Sequence, residues 1–335
     1  MSTIREVAER SGVSVATVSR VFNDYPDVSA ATRERVLAAA RDLEYAPSAA
    51  ARTLVGRRSQ LVGVGIFTGY EHPDIEHPFF QDVLVGLKHG VGARGYDVLL
   101  FASEQPGAYL RRARHHRVDG VVLWGVDSKD PELRALVDAG IPLVTVDLVA
   151  EGPRATWVTS DSIEGGRLAV RHLRELGHRR IATIAGLPQY TKPGADRLRG
   201  YREEMQAAGL PMVERDGDFY ADSGEAAMRE LLALPEPPTA VFAASDLMAF
   251  GAIKAIVAGG LRVPEDISVV GFDDIAAARL AHPRLTTIRH DKVALGLAAA
   301  QALVDEIEGS AGRPPPVTLP VELVVRESTT RAASP

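Results

Sequence analysis

From Leu61 onward, short apolar runs rich in β-branched residues alternate with stretches of helical period, and this alternation restricts the fold more than any other feature of the chain. The apolar runs are Leu61 to Phe67, Tyr96 to Phe101, Gly120 to Leu123, Pro142 to Val146, Arg180 to Ala185, Thr239 to Ala244 and Ile267 to Phe272. Helical period appears at Val83 to Val91, Gly165 to Leu176, Arg197 to Ala208, Ala226 to Leu234 and Leu247 to Ala258. A strand that is apolar throughout must be covered on both faces, which predicts parallel strands joined by helical crossovers. Extended over more than about 200 residues, such a pattern divides into two doubly wound subdomains with ligands at the carboxyl ends of the strands. Polar residues do follow the strands there: Asp147, Ser245 with Asp246, and Asp273 with Asp274.

The first sixty residues have a different period. Thr3 and Glu6 form a capping box, Ile4, Val7 and Ala8 one apolar face, and Gly12 a helix stop. A second helix starts at Ser14 and buries Val18 and Val21; Ser29 caps a third, whose Val36, Leu37, Ala40 and Leu43 recur until Tyr45 and Pro47. Three short helices, the first two joined by Ser11-Gly12-Val13, describe a helix-turn-helix unit. Its second helix would present Val15, Ala16 and Thr17 to base edges, with Ser19 and Arg20 further along. A small bundle that binds nothing would share the pattern. Against it, Val15 and Ala16 are apolar at an exposed helix start, where a thymine methyl would give them a partner.

Charge agrees with that division. Residues 1–60 hold nine arginines, no lysine and seven acids, so in a chain of net charge −6 the rest carries about −8. Only the front of the chain suits a polyanion. With no cysteine there are no disulfides, thiolate metal sites or cysteine nucleophiles. Arg5, Glu6, Glu9 and Arg10 interrupt any signal-peptide core, and no apolar stretch approaches the roughly 18 residues of a membrane span, so a cytoplasmic protein is expected. An enzyme is not expected. Gly63, Gly65 and Gly69 miss the G-x-G-x-x-G spacing by one residue, and no Walker A loop, G-x-S-x-G elbow or H-E-x-x-H occurs.

The segments TIREVAERSGVSVATVSRVFN and VSAATRERVLAAARDLEYAPSAAARTL resemble the headpiece and hinge of the LacI/GalR transcriptional regulators. The likeness continues in colinear order through DSIEGGRLAVRHLRELGHRRIATIAG, DRLRGY, VFAASDLMAFGA and VPEDISVVGFDD. It implies an all-α helix-turn-helix headpiece, then an α/β core of two doubly wound subdomains similar to periplasmic binding proteins. The implied divisions are a headpiece over 1–46, a hinge over 47–59, a first core subdomain over 60–160 with 289–319 returning to it, and a second over 161–288 with 320–330. By the resemblance, Val15 and Ala16 read bases, Thr17, Ser19, Arg20 and Asn23 contact base or phosphate, and Ser14 caps the helix toward a phosphate. Ser48 to Val55 would form a hinge helix in which Leu54 wedges into the minor groove of a pseudopalindromic operator, with Arg52, Arg57 and Arg58 along the phosphates. The stretch RESTTRAASP carries no leucine heptads, so a homodimer rather than a tetramer is implied.

The resemblance also places an effector site between the core subdomains, lined by Phe79, Phe80, Trp124, Asp161, Glu164, Arg197, Phe219, Ser245, Asp246, Asp273 and His290. Carboxylates and a guanidinium suit hydroxyl groups, and aromatic faces suit the C–H face of a sugar. Four acids converging with one arginine would repel a phosphate, so a neutral sugar is expected. Trp124 as an added stacking face, His290 and the long loop GYEHPDIEHPFF suggest a di- or oligosaccharide. His72, Glu76 and His77 in that loop are read as solvated rather than metal-binding, and no cofactor is expected. The expected mechanism is repression relieved by the sugar. Two readings stand beside it: a purine or nucleobase corepressor, compatible with Phe79 and Phe80, and a partner protein. A transport protein would share the core but have no use for Met1 to Arg58.

Overall fold

The computed structural model describes residues 2–22, 25–45, 58–66, 77–101, 108–125, 130–309 and 314–333. They form two units, residues 1–60 and 61–335.

The first unit contains α1 (Ile4–Ser11), α2 (Val15–Phe22) and α3 (Ala30–Asp42). The capping box forms in full: Glu6 N–H donates to Thr3 Oγ1 at 3.4 Å and Thr3 N–H to Glu6 Oε2 at 2.7 Å. Gly12 takes φ 66° and returns its N–H to the carbonyls of Ala8 and Glu9, a left-handed stop that a Cβ would strain. Val7, Ala8, Val18, Val21, Val36, Ala39 and Ala40 make the core. The Arg33 guanidinium fastens the end of α2 to α3 by donating to the carbonyls of Val21 and Tyr25 at 3.2 and 3.0 Å.

The second unit runs β1 (Leu61–Ile66), α4 (Pro78–Gly92), β2 (Asp97–Leu100), α5 (Tyr109–His116), β3 (Gly120–Trp124), α6 (Pro131–Asp138), β4 (Leu143–Val146), β5 (Ala155–Ser160) and α7 (Ser162–Glu175). It continues with β6 (Ile181–Gly186), α8 (Lys192–Ala207), β7 (Val213–Gly217), α9 (Ala221–Leu232), β8 (Ala240–Ala243), α10 (Asp246–Ala258), β9 (Ser268–Asp273) and α11 (Ala276–Leu280). Last come β10 (Thr286–His290), α12 (Lys292–Glu308), β11 (Val317–Leu319) and β12 (Val321–Val324).

Two sheets result, ordered β2-β1-β3-β4-β5-β11 and β7-β6-β8-β9-β10-β12. Every pairing is parallel except β10 with β12. Within the described residues each of the seven apolar runs contains a strand. Those the pattern missed had reason to be missed: β5 buries Thr156, Thr159 and Ser160 among its apolar residues, and β7, VERDG, is a half-exposed edge. The chain passes between the sheets three times, near Asp161, Asp291 and Pro320, and α12 packs on β3, β4 and β5 of the first sheet.

Helices cross closely where glycines face each other. A Cβ on Gly86 of α4 would overlap the carbonyl of Val293, and one on Gly166 of α7 would overlap that of Arg197 in α8. Asp274, expected as an arginine partner, accepts from Arg289 Nε at 2.7 Å and from Arg326. Burial by itself would raise its pKa, but these two guanidiniums hold the carboxyl below its ordinary range.

Candidate functional site

In both sheets the strand order reverses between β1 and β3 and between β6 and β8, and the carboxyl ends of the strands face a cleft of about 100 Å³. Of the expected residues, Phe79, Phe80, Trp124, Arg197, Phe219 and Asp273 line it. Phe79 and Phe80 begin α4, Trp124 ends β3, Arg197 stands on α8, and Phe219 and Asp273 follow or end β7 and β9.

Arg197 is the centre of the polar wall. Its side chain is 4% exposed, lies over the Phe272 ring at 3.6 Å, donates from one terminal nitrogen to the Ala244 carbonyl at 2.5 Å and stands 3.7 Å from Asp273 Oδ1. Its Nε is buried without a partner. Burial lowers the guanidinium pKa, and the charge of Asp273 opposes that. Burial would also raise the Asp273 carboxyl, but the hydrogen bond from His290 Nε2 at 3.1 Å and the Arg197 charge outweigh it and hold the group below its ordinary value. Asp147, Phe219 and Asp273 have φ of 57°, 75° and 118°. Backbone of this kind costs of order 1–3 kcal/mol per residue, and it clusters where side chains must be aimed.

Several expectations change. Asp161 caps α7, accepting the Glu164 N–H at 3.0 Å, while Glu164 pairs with Arg167 and Arg171 at 3.3 and 3.6 Å; neither borders the cleft. Ser245 caps α10 and gives its hydroxyl to the Phe219 carbonyl at 2.8 Å. Asp246 is sealed inside, accepting from the Thr287 hydroxyl at 2.5 Å and the Ile275 N–H at 2.8 Å. Its burial, with the Asp273 charge adding, pushes that carboxyl well above its ordinary range. The four acids therefore do not converge: Asp273 alone of them borders the cleft, joined by Asp147 and Asp218. His290 stands behind the wall, between Asp273 and the Ser160 hydroxyl at 3.0 Å, with Phe79 stacked on it at 5.5 Å. Burial lowers its pKa and keeps it neutral at pH 7. Trp124 is buried completely, so it brings no open stacking face; what it holds at the floor is an indole N–H without a partner.

Beyond the expected effector set the cleft is lined by His77, Gly125, Val146, Asp147, Thr191, Lys192, Pro193, Asp218 and Tyr220, of which Asp147 stands where the strand-end rule points. His77, read as solvated, instead caps α4: its Nδ1 accepts the Phe79 N–H at 3.2 Å, and its ring meets Tyr220 edge to face at 5.4 Å, one residue from each subdomain. The His-Pro pair opening a helix was the available signal for this cap. His72 and Glu76 lie outside the described residues, and among the described residues no cluster could hold a metal.

In the first unit, Ser14, Val15, Ala16 and Arg20 are exposed on α2, Val15 at 41%, and Thr17 and Ser19 are half-buried. Ser14 accepts the Thr17 N–H at 3.1 Å and shares a 2.9 Å contact with its hydroxyl, so capping occupies both. Arg20 pairs with Asp27 at 2.5 Å. Asn23, Arg52 and Leu54 lie outside the described residues.

Residues 3–48 match the model of bacterial regulatory proteins of the lacI family, and residues 170–329 that of a periplasmic binding protein-like domain. The chain is 42% identical to the HTH-type transcriptional regulator CelR of Thermobifida fusca over 97% of its own length and 98% of that protein's. It is 37% identical to the HTH-type transcriptional repressor PurR of Edwardsiella ictaluri over 98% and 97% of the two chains. Among solved structures it resembles a complex of the transcriptional regulator CelR with cellobiose at TM-score 0.75 and 38% identity, covering 98% of this chain and 100% of that one. It also resembles the lac repressor dimer bound to operator and the anti-inducer ONPF at TM-score 0.84 and 33% identity, covering 98% and 99%.

Proposed function

Since this chain belongs to the LacI family of DNA-binding transcriptional regulators, we propose that it is a homodimeric repressor released from its operator by a neutral disaccharide of the cellobiose kind. The observation that carries the effector reading is the polar wall of the cleft. Arg197 is held between Phe272 and Asp273 with its Nε unpaired, beside the buried, unpaired Trp124 N–H, and aromatic Phe79, Phe80, Phe219 and Tyr220 line the same space. A hydroxyl accepts from such donors while donating to a carboxylate, and apolar ring faces cover the sugar's C–H groups. Asp147, Asp218 and Asp273 outnumber Arg197 and Lys192, and Lys192 is already paired with Asp196. An anionic ligand would meet net repulsion there. The likeness to the CelR complex with cellobiose supports a two-ring ligand.

In this reading residues 1–46 bind DNA, 47–59 form the hinge with Leu54 as the groove wedge, and the crossings near Asp161, Asp291 and Pro320 are where ligand turns one core subdomain against the other. Titration calorimetry with cellobiose, other disaccharides, monosaccharides and purine bases tests the effector. Cellobiose or a close β-linked disaccharide should bind and should release labelled operator in a shift assay. Binding to a monosaccharide or a purine alone overturns the disaccharide reading, and operator binding that requires ligand overturns the sign.

A further inference from the structure

Three of the arginines between residues 61 and 160 are paired: Arg94 with Asp305 at 3.2 Å, Arg134 with Asp138 at 2.9 Å and Arg154 with Glu306 at 2.7 Å. The remaining four fall together in RRARHHR, Arg111 to Arg117, at the end of α5. None of Arg111, Arg112, Arg114 and Arg117 meets a carboxylate among the described residues, and Arg111, Arg114 and Arg117 are exposed at three-residue spacing. A helix carboxyl end favours positive charge. Like charges three and four residues apart repel, however, and the dipole of an eight-residue helix does not account for four unpaired guanidiniums in a core of about −8.

Their place in the fold gives them a use. Crossover helices run against the strands, so the carboxyl end of α5 lies at the amino ends of the first sheet, opposite the cleft. Asp119 N–H donates to the Leu61 carbonyl at 2.8 Å, and Gly120 pairs with Val62 in the β1/β3 register. Arg117 is thus two residues from the hydrogen bond that ties Asp119 to Leu61, the first residue of the second unit.

We propose that the Arg111, Arg114 and Arg117 face of α5 is a second DNA-contacting surface, lying along phosphates of the duplex that flanks the operator and adding affinity without reading sequence. The occupant is duplex DNA because the feature is a row of unpaired guanidiniums without an apolar anchor, the composition that suits a phosphate backbone.

Fluorescence anisotropy with two labelled duplexes, the operator alone and the operator extended by ten base pairs on each side, tests this in the full-length protein. The wild type should bind the longer duplex more tightly and with a steeper salt dependence. Each phosphate contact contributes about 0.9 to the slope of log K against log salt. R111S/R114S/R117S should thus lose up to about 40-fold less affinity than wild type, for each protomer face that meets the duplex, when salt is raised from 50 to 200 mM on the long duplex. It should match wild type on the short duplex and in its thermal midpoint, and R111K/R114K/R117K should retain the wild-type slope. Equal slopes for wild type and triple serine variant on the long duplex overturn the proposal, as does an equal loss on both duplexes. An α5 face that serves an acidic protein instead would give the first of these results.

Discussion

Replacing Arg197 with methionine removes a buried charge while keeping a flexible side chain over the Phe272 ring. At 3.7 Å and an effective dielectric constant of about 20, the attraction between Arg197 and Asp273 is about 4 kcal/mol. The charge-assisted hydrogen bond to the Ala244 carbonyl adds about 1.5–3 kcal/mol, and the guanidinium's desolvation offsets part of the total. The net cost of R197M is therefore that of a buried pair broken from one side, about 3–5 kcal/mol. D273N removes the charge that needed Arg197 while leaving an amide oxygen to accept from His290, and should cost about 1–3 kcal/mol. The double variant should be more stable than the sum of the two losses predicts, with a coupling of about 2–3 kcal/mol. Urea unfolding of the four proteins at pH 7, followed by far-ultraviolet circular dichroism, measures the cycle. Additive losses would refute the claim that Arg197 is held by Asp273, and full cellobiose affinity in R197M would refute its place in the effector wall.

Two further outcomes are expected. L54A should weaken operator binding by about 10- to 100-fold, since the kink in the duplex is then no longer supported by an inserted side chain, and should leave cellobiose affinity unchanged; equal operator binding by mutant and wild type returns Leu54 to an ordinary linker residue. Stability should fall with acid: burial lowers the pKa of His172, His178 and His290 below 6.5, so their contribution is complete above about pH 6.5 and is lost as pH falls toward each folded-state pKa, by up to about 1.4 kcal/mol per pH unit per group. Urea midpoints at pH 7.5, 6.5 and 5.5, with H178Q as the comparison, check this, and a profile equally steep in H178Q would show that His178 takes no part.

The parts of the fold legible in the sequence are those where one physical demand acts alone. A short, β-branched apolar run such as Val121 to Leu123 reads as a covered strand, and Thr3, Glu6 and Gly12 read as the start and stop of a short helix. Where two demands meet, the sequence is ambiguous. Asp161 has the composition of a ligand group and of a helix cap, and its distance from the cleft is settled by the direction of α7. Asp246 looks like a partner for hydroxyls, yet its neighbour Ser245 turns the chain so that the carboxyl points at Thr287 and Ile275. His77 was hidden by the histidines around it and Lys192 by the lack of any nearby pattern, while Asp147 was marked only by its place after a strand; these residues meet only because two sheets present their carboxyl ends to one space.

The three passages between the sheets also set the order in which a growing chain can finish. Helices α1 to α3 complete their own core within the first 42 residues. The first sheet, by contrast, lacks its edge strand Val317–Leu319 and its covering helix Lys292–Glu308 until nearly the whole chain has been made. The helical unit can therefore fold on a growing chain long before the core behind it is whole. A message cut short before Lys292 would yield a folded headpiece joined to a core whose first sheet lacks both its edge strand and its covering helix.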